Sequence, residues 1–319
     1  MTPSYTNVDI PRDRYGRPLI KVEGVDKRLP YQRCTTFVGV LENTYNLMLW
    51  KQRQTALGMG MRPDLVLAAA ACRPDDKKRL GEIADKATEH AGGSTAATTG
   101  TALHSLTERI DRGEPLGAVP AEAAADIAAY QKAMTGTTIH AIEQFRVFDD
   151  WRIAGTADRI ITYHGNTYIA DLKTGSIEYA ANKIAMQLAM YARSVPYNIE
   201  TDQRETQTPN LNLGRALIIH LPAGTAECRL VWVDIEKGWR GCQIAKTVWD
   251  QRAVKGLTWD VGVDDPSRPG PPPTWESLAR SAQTVEQLRT VWNAANESGE
   301  LTPALRATLT VRSNQLGAA

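Results

Sequence analysis

Two neighbouring segments of the chain combine residue types that can act on a charged ester. They are Gly155-Thr156-Ala157-Asp158-Arg159-Ile160 and Ile169-Ala170-Asp171-Leu172-Lys173-Thr174-Gly175. Asp171 and Lys173 are two residues apart, so on a strand their side chains leave the same face of a sheet. The intervening His164-Gly165-Asn166 supplies a tight turn. If the loop is Gly165-Asn166, Asp158 lies opposite Lys173 and diagonal to Asp171; if it is His164-Gly165, Asp158 faces Asp171 directly. Either loop gathers all three groups on one face, whereas a three-residue loop sends the two carboxylates to opposite faces. Carboxylates this close repel and lose solvation unless positive charge sits between them. An oxygen-rich position of that kind suits Mg²⁺ or Mn²⁺, which polarises a phosphodiester and activates water. Lys173 then serves as a point charge that orients the water and stabilises the transition state, and a nearby metal would lower its own proton affinity.

The elements that must position these groups are legible around them. Residues 121–134 are alanine-rich without Pro or Gly and read as a helix, and an earlier helix runs through His104 and Glu108. Segments 144–148, 152–163 and 167–173 are rich in β-branched and aromatic residues and read as a three-strand meander. A helix over 179–194, strands over 215–220 and 227–235, and a helix carrying Trp239 and Trp249 complete the pattern. The fold class expected is α/β: a central mixed five-stranded sheet flanked by helices, with a small C-terminal helical unit. The first thirty residues read as an irregular lead-in, followed by an apolar helical stretch ending near Trp50-Lys51. Domain bounds follow as a mostly helical N-terminal accessory segment 1–98, a core 99–257, a Pro-rich linker 258–273 and a helical unit 274–319.

At 319 residues, 42% hydrophobic and 23% charged, the chain has the composition of an ordinary globular protein. A net charge of +1 gives no global attraction for a polyanion, so any nucleic-acid surface must come from local clustering of Lys and Arg. No apolar run is long enough to span a bilayer and the start lacks a signal-peptide pattern, so a cytoplasmic location without membrane contact is expected. Cys34, Cys72, Cys228 and Cys242 lie far apart, without zinc-finger spacing, and read as reduced thiols.

Asp158 followed by Asp171-Leu172-Lys173 resembles the signature of PD-(D/E)XK nucleases, with Ala157 in place of the signature proline. More narrowly, Gly100-Thr101-Ala102-Leu103-His104, Gly155-Thr156-Ala157-Asp158, Asp171-Leu172-Lys173-Thr174-Gly175 and Gln187-Leu188-Ala189-Met190-Tyr191 resemble, in the same order, the four motifs of RecB-type exonucleases. The arrangement is similar to phage-encoded members of that group, which also includes CRISPR-associated exonucleases. The resemblance implies a restriction-endonuclease-like core, with His104, Asp158, Asp171 and the Leu172 carbonyl as metal ligands and Lys173 as the catalytic lysine. Gln187 and Tyr191, four apart on one helical face, would support the site by holding Lys173 or contacting the DNA backbone. It further implies a Mg²⁺- or Mn²⁺-dependent deoxyribonuclease, an exonuclease acting on DNA with a free end in recombination, repair or phage replication. A recombination partner protein or a second copy of the chain are the further partners expected. One branch of the group holds an iron–sulfur cluster through one early and three closely spaced late cysteines; the cysteines here lack that spacing, and no cluster is expected.

Other residues carry weaker signals. Glu108, one turn after His104, is placed either to reach the same site or to pair with Arg112. Glu143, at the start of the first expected strand, reads as a supporting acid or a strand-edge charge. Arg33, Lys51, Arg53, Lys183 and Arg193 carry the charge a DNA path needs, and Trp50 beside Lys51 is the aromatic placed for strand contact. Trp232, Trp239 and Trp249 read as core. Two competing functions are a DNA-binding scaffold that cleaves poorly and a structure- or RNA-directed endonuclease on the same fold. The complete set His104, Asp158, Asp171 and Lys173 argues against the first.

Overall fold

The structure, a computed structural model, describes residues 4–5, 9–93, 95–258 and 273–317. The chain divides into two compact units, Met1–Ala253 and Val254–Ala319. In the first, strands β1 (Ser4–Tyr5), β2 (Leu19–Ile20), β3 (Leu29–Pro30) and β4 (Gln32–Arg33) lead into helix α1 (Cys34–Val38). Helices α2 (Tyr45–Met61), α3 (Pro63–Ala70), α4 (Lys77–His90), α5 (Thr95–Asp111) and α6 (Ala121–Ala133) follow. Next come strands β5 (Thr138–Phe148), β6 (Ile153–Tyr163) and β7 (Asn166–Lys173), then α7 (Ala181–Arg193), β8 (Val195–Asn198) and β9 (Gln203–Arg204). Strands β10 (Arg215–His220) and β11 (Arg229–Asp234) and helix α8 (Ile235–Arg252) end the unit.

The sheet runs in the order β11-β10-β7-β6-β5-β8-β9, with β1 added to β5 and β4 to β6. It is mixed: β5, β6 and β7 are antiparallel neighbours, whereas β7 and β10 run parallel. Among the described residues the sheet has nine strands, the five expected ones adjacent within it. The five central ones were legible, but the additions are two to four residues long and carry no readable alternation. The first central strand begins at Thr138 rather than near residue 144, because a register shift between Ile139 and Ala141 interrupts its period of two.

Alternation divides the sheet residues between two apolar layers. Ile160, Ile169 and Ile218 pack with α7, α8 and α1 through Leu188, Met190, Cys242 and Phe37. Ile161, Ala170, Leu172, Leu217 and Ile219 pack on the other side with Tyr130 of α6. Strand β7 is covered on both faces, so residues Thr167 to Leu172 are all buried, with Asp171 the lone acid among them. The N-terminal residues do not stand apart from this core. Cys34, Phe37 and Val38 lie within the first layer, while Ile20 and Tyr31 join Phe145, Val147 and Tyr197 at the β5 edge.

The second unit contains α9 (Trp275–Ser281), α10 (Val285–Glu297) and α11 (Pro303–Gly317), packed around Ala279, Leu288, Ala295, Leu305 and Leu309. Thr274 and Thr284 cap α9 and α10 by accepting from Ser277 N–H and Gln287 N–H. The expected linker, 258–273, lies almost entirely outside the described residues. No helix among the described residues is long and apolar enough to cross a membrane, and all four cysteines are free thiols.

Candidate active site

The β6–β7 hairpin closes through His164-Gly165, with Tyr163 paired to Asn166 and positive φ at both loop residues, 47° and 78°. Of the two even loops open to the sequence, this is the one that sets Asp158 directly across from Asp171. The backbone ladder ends one step earlier, at Arg159 and Ala170. Beyond that pair the Asp158 side chain replaces the main-chain partner: its Oδ2 accepts from Leu172 N–H at 3.1 Å. The strands therefore part at the acidic pair, and the opening is bordered by β7, α5 and α7.

Within the opening Lys173 Nζ forms an ion pair with Asp171 Oδ2, and His104 Nδ1 lies 3.7 Å from Asp158 Oδ2. The lysine approaches Asp171 off the hydrogen-bonding directions, so this buried oxygen receives no directed donor. Strand β5 adds a third acid. Its pairs Ile142–Arg159 and Gln144–Ala157 bracket Glu143 and set it across from Asp158. Glu143 thus sits inside β5, with φ of +50°, and not at a strand start. Arg112 Nη1 lies 3.5 Å from Glu108 Oε2, and the charge of Glu108 acts on Glu143 and His104.

The electrostatics record a site short of positive charge. Burial, reinforced by Asp158, pushes the Asp171 carboxyl well above the carboxylate range despite Lys173. Burial and then Asp158 and Glu108 push Glu143 up to about 8. Burial lowers the proton affinity of His104, against the pull of Asp158. Burial also works to lower that of Lys173, but the charges of Asp171 and Asp158 outweigh it and the net shift is upward.

A divalent ion fits this donor set. No three His, Cys, Asp or Glu side chains among the described residues converge to enclose an ion. An open site for a hard cation needs only one or two carboxylates, with water and substrate oxygens completing the sphere. The undonated Asp171 Oδ2 and the facing Asp158 offer those carboxylates.

Supporting contacts explain the surrounding motifs. Gln187 Nε2 donates to Tyr191 Oη at 3.2 Å, and that hydroxyl sits beneath the site beside Cys34. A Cβ at Gly155 would lie 2.9 Å from the Tyr191 ring and 3.0 Å from Cys34 Cβ, so only glycine lets β6 pass. Gly155→Ala is expected to cost about 1–3 kcal/mol of stability and to lower turnover by displacing Tyr191, measured as denaturation midpoint and kcat together. Equal stability and turnover in the variant would show that this close approach has no consequence.

Three buried residues that the sequence did not single out hold the frame. Arg146 donates through Nε to the Tyr191 carbonyl at 2.9 Å and through Nη2 to the Ser194 carbonyl at 2.5 Å, capping the C-terminal end of α7. Arg159 donates to Asp111 Oδ2 at 2.6 Å and to Thr107 Oγ1 at 2.9 Å, fixing α5 to β6. His220, in register with Lys173 on β10, bonds the Gly175 carbonyl through Nε2 at 3.0 Å. A buried Arg gives no local sequence signal, because its partners lie tens of residues away.

The residues expected along a DNA path divide. Arg33, Trp50, Lys51 and Arg53 are exposed. Lys183 pairs with Glu42 at 2.8 Å. Arg193 lies 4.8 Å over the Trp239 ring and donates to the carbonyls of Ala189 and Leu213, which gives it a packing role. Trp239 itself stacks on Trp151 at 4.9 Å in the core, whereas Trp232, expected there too, is 46% exposed against Tyr168.

Comparison with known families adds one match. The model of the PD-(D/E)XK nuclease superfamily matches residues 118–297, a span that includes Glu143, Asp158, Asp171, Lys173, Gln187 and Tyr191 and begins after His104 and Glu108. No curated protein matches the chain.

Proposed function

Because this chain belongs to the PD-(D/E)XK nuclease superfamily, we propose that it is a divalent-metal-dependent DNA exonuclease of the RecB-like type, with Asp158, Asp171 and Lys173 as its catalytic centre. The observation that carries this reading is the parting of β6 and β7 at the facing acids, with Lys173 on the same face and His104 within 3.7 Å of Asp158.

Asp158 and Asp171 would hold Mg²⁺ or Mn²⁺, with His104 and the Leu172 carbonyl as further donors. When bound, the ion supplies Lewis-acid polarisation of the phosphodiester and a more acidic water. Lys173, released from its close pairing with Asp171, orients the attacking water and stabilises charge on the phosphoryl oxygens. Glu143, protonated more readily than an ordinary glutamate, is suited to pass a proton at the edge of the site. Gln187 holds the Tyr191 hydroxyl, on which the charges of Asp158 and Asp171 both act.

Digestion of end-labelled linear DNA beside covalently closed circular DNA tests the reading. Linear DNA is expected to shorten from its ends in Mg²⁺ or Mn²⁺, to persist in chelator, and the closed circle to survive. Cutting of the closed circle would move the assignment to an endonuclease on the same fold.

A further inference from the structure

The solvent face of α2 carries a line of side chains that the site above does not use. Trp50, Arg53, Leu57 and Met61 are spaced by three, four and four residues, which puts them along one side of the helix. Trp50 is 40% exposed and Leu57 and Met61 are 55% exposed. The other side of α2 is fixed: Thr55 Oγ1 meets Thr88 Oγ1 of α4 at 2.8 Å, and Met59 packs with Leu65, Ile83 and Ala87. The exposed line is therefore held outward by a small core beneath it.

Charge and position narrow what would cover it. The seventeen residues of α2 include no Asp or Glu, while Lys51 and Arg53 follow Trp50 within the next turn. Apolar and aromatic groups on a helix whose own charges are all cationic suit a polyanion that also exposes flat apolar faces. An unpaired DNA strand has both, whereas a duplex turns its base faces inward. The helices α2 to α4 also spring from the rim of the site. Just before α2, Glu42 pairs with Lys183 in the first turn of α7; in the helix that follows α4, Gly100 of α5 lies against Thr174, the neighbour of Lys173.

We propose that this face of α2 is a dock for the unpaired strand of a DNA end, with Trp50 as its stacking platform. The proposal rests on the nuclease reading above and names the form of the substrate. Bases stack on Trp50 and lie against Leu57 and Met61, and phosphates pair with Lys51 and Arg53.

The test measures binding of labelled oligothymidylate to the full-length protein without divalent ion, so that no cleavage is needed. Trp50→Ala is expected to weaken binding about tenfold, Trp50→Phe to keep most of it, and Lys51→Ala with Arg53→Ala to flatten its salt dependence. Hydrolysis of a small chromogenic phosphodiester in Mn²⁺ should be unchanged in all these variants, since none touches the reacting atoms. Unaltered oligothymidylate affinity in Trp50→Ala overturns the proposal; if that variant instead loses a dimer seen by sedimentation, the face joins two copies of the chain. Absence of diester hydrolysis in the parent protein would remove the nuclease reading and leave the strand-binding result to stand by itself.

Discussion

Asp171→Ala is expected to reduce Mg²⁺- or Mn²⁺-dependent DNA hydrolysis by at least about a thousandfold while leaving the protein folded. The loss follows from position, since Asp171 is the acid on the doubly covered strand and its Oδ2 lacks a directed donor. Stability should move the other way. In the bare protein Asp171 and Glu143 both sit above the ordinary carboxylate range, so the folded state holds protons that the unfolded chain releases. Stability from these groups is then fully present below the ordinary carboxylate range and is lost as pH rises, down to a floor above about 8, the value to which Glu143 is pushed. Added Mg²⁺ or Mn²⁺ should raise the melting temperature of the parent protein at slightly alkaline pH and have little effect on Asp171→Ala. Thermal denaturation across this range, with and without the ion, checks both statements. A variant that keeps its turnover would remove Asp171 from the mechanism.

The second large effect is expected from Asp111→Ala, at about 3–5 kcal/mol of stability. Arg159 is fully buried and Asp111 is 4% exposed, and their contact at 2.6 Å lies between α5 and the sheet. Burial raises the Asp111 carboxyl even beside Arg159, whose guanidinium keeps its proton at neutral pH. Removing Asp111 leaves that charge unpaired in an apolar layer where Arg159 Nη1 already has no hydrogen-bond partner among the described residues, and it deprives Tyr130 Oη of its acceptor. The same change frees α5, which carries His104, so turnover should fall alongside stability. Asp111→Ala combined with Arg159→Met should recover much of the stability, because an apolar side chain of similar length suits the site better than a lone cation. Denaturant midpoints of the two variants decide it: equal losses in both would mean that the pair's charge is not what holds α5.

Much of the geometry of the candidate site was legible in the linear chain because it depends on short-range spacing. Asp171 and Lys173 share a face because strand side chains alternate, and the parity of a tight loop puts Asp158 on that face as well. The Gln187 and Tyr191 pair follows from one turn of helix. The central strands and the helices that flank them were readable for the same reason, since their periods are local.

What the tertiary structure alone decided depends on contacts between distant segments. The choice between two allowed loops was settled in favour of His164-Gly165, which makes Asp158 face Asp171 rather than Lys173. Glu143 entered the site because a register shift displaced β5, an event that no alternation pattern announces. Arg146 and Arg159 were not singled out in the sequence, because their partners, the Tyr191 carbonyl and Asp111, lie 45 and 48 residues away. Local periodicity therefore fixes which side chains can meet across a turn, while only long-range packing determines which charges are buried, and burial is what shifts their proton affinities.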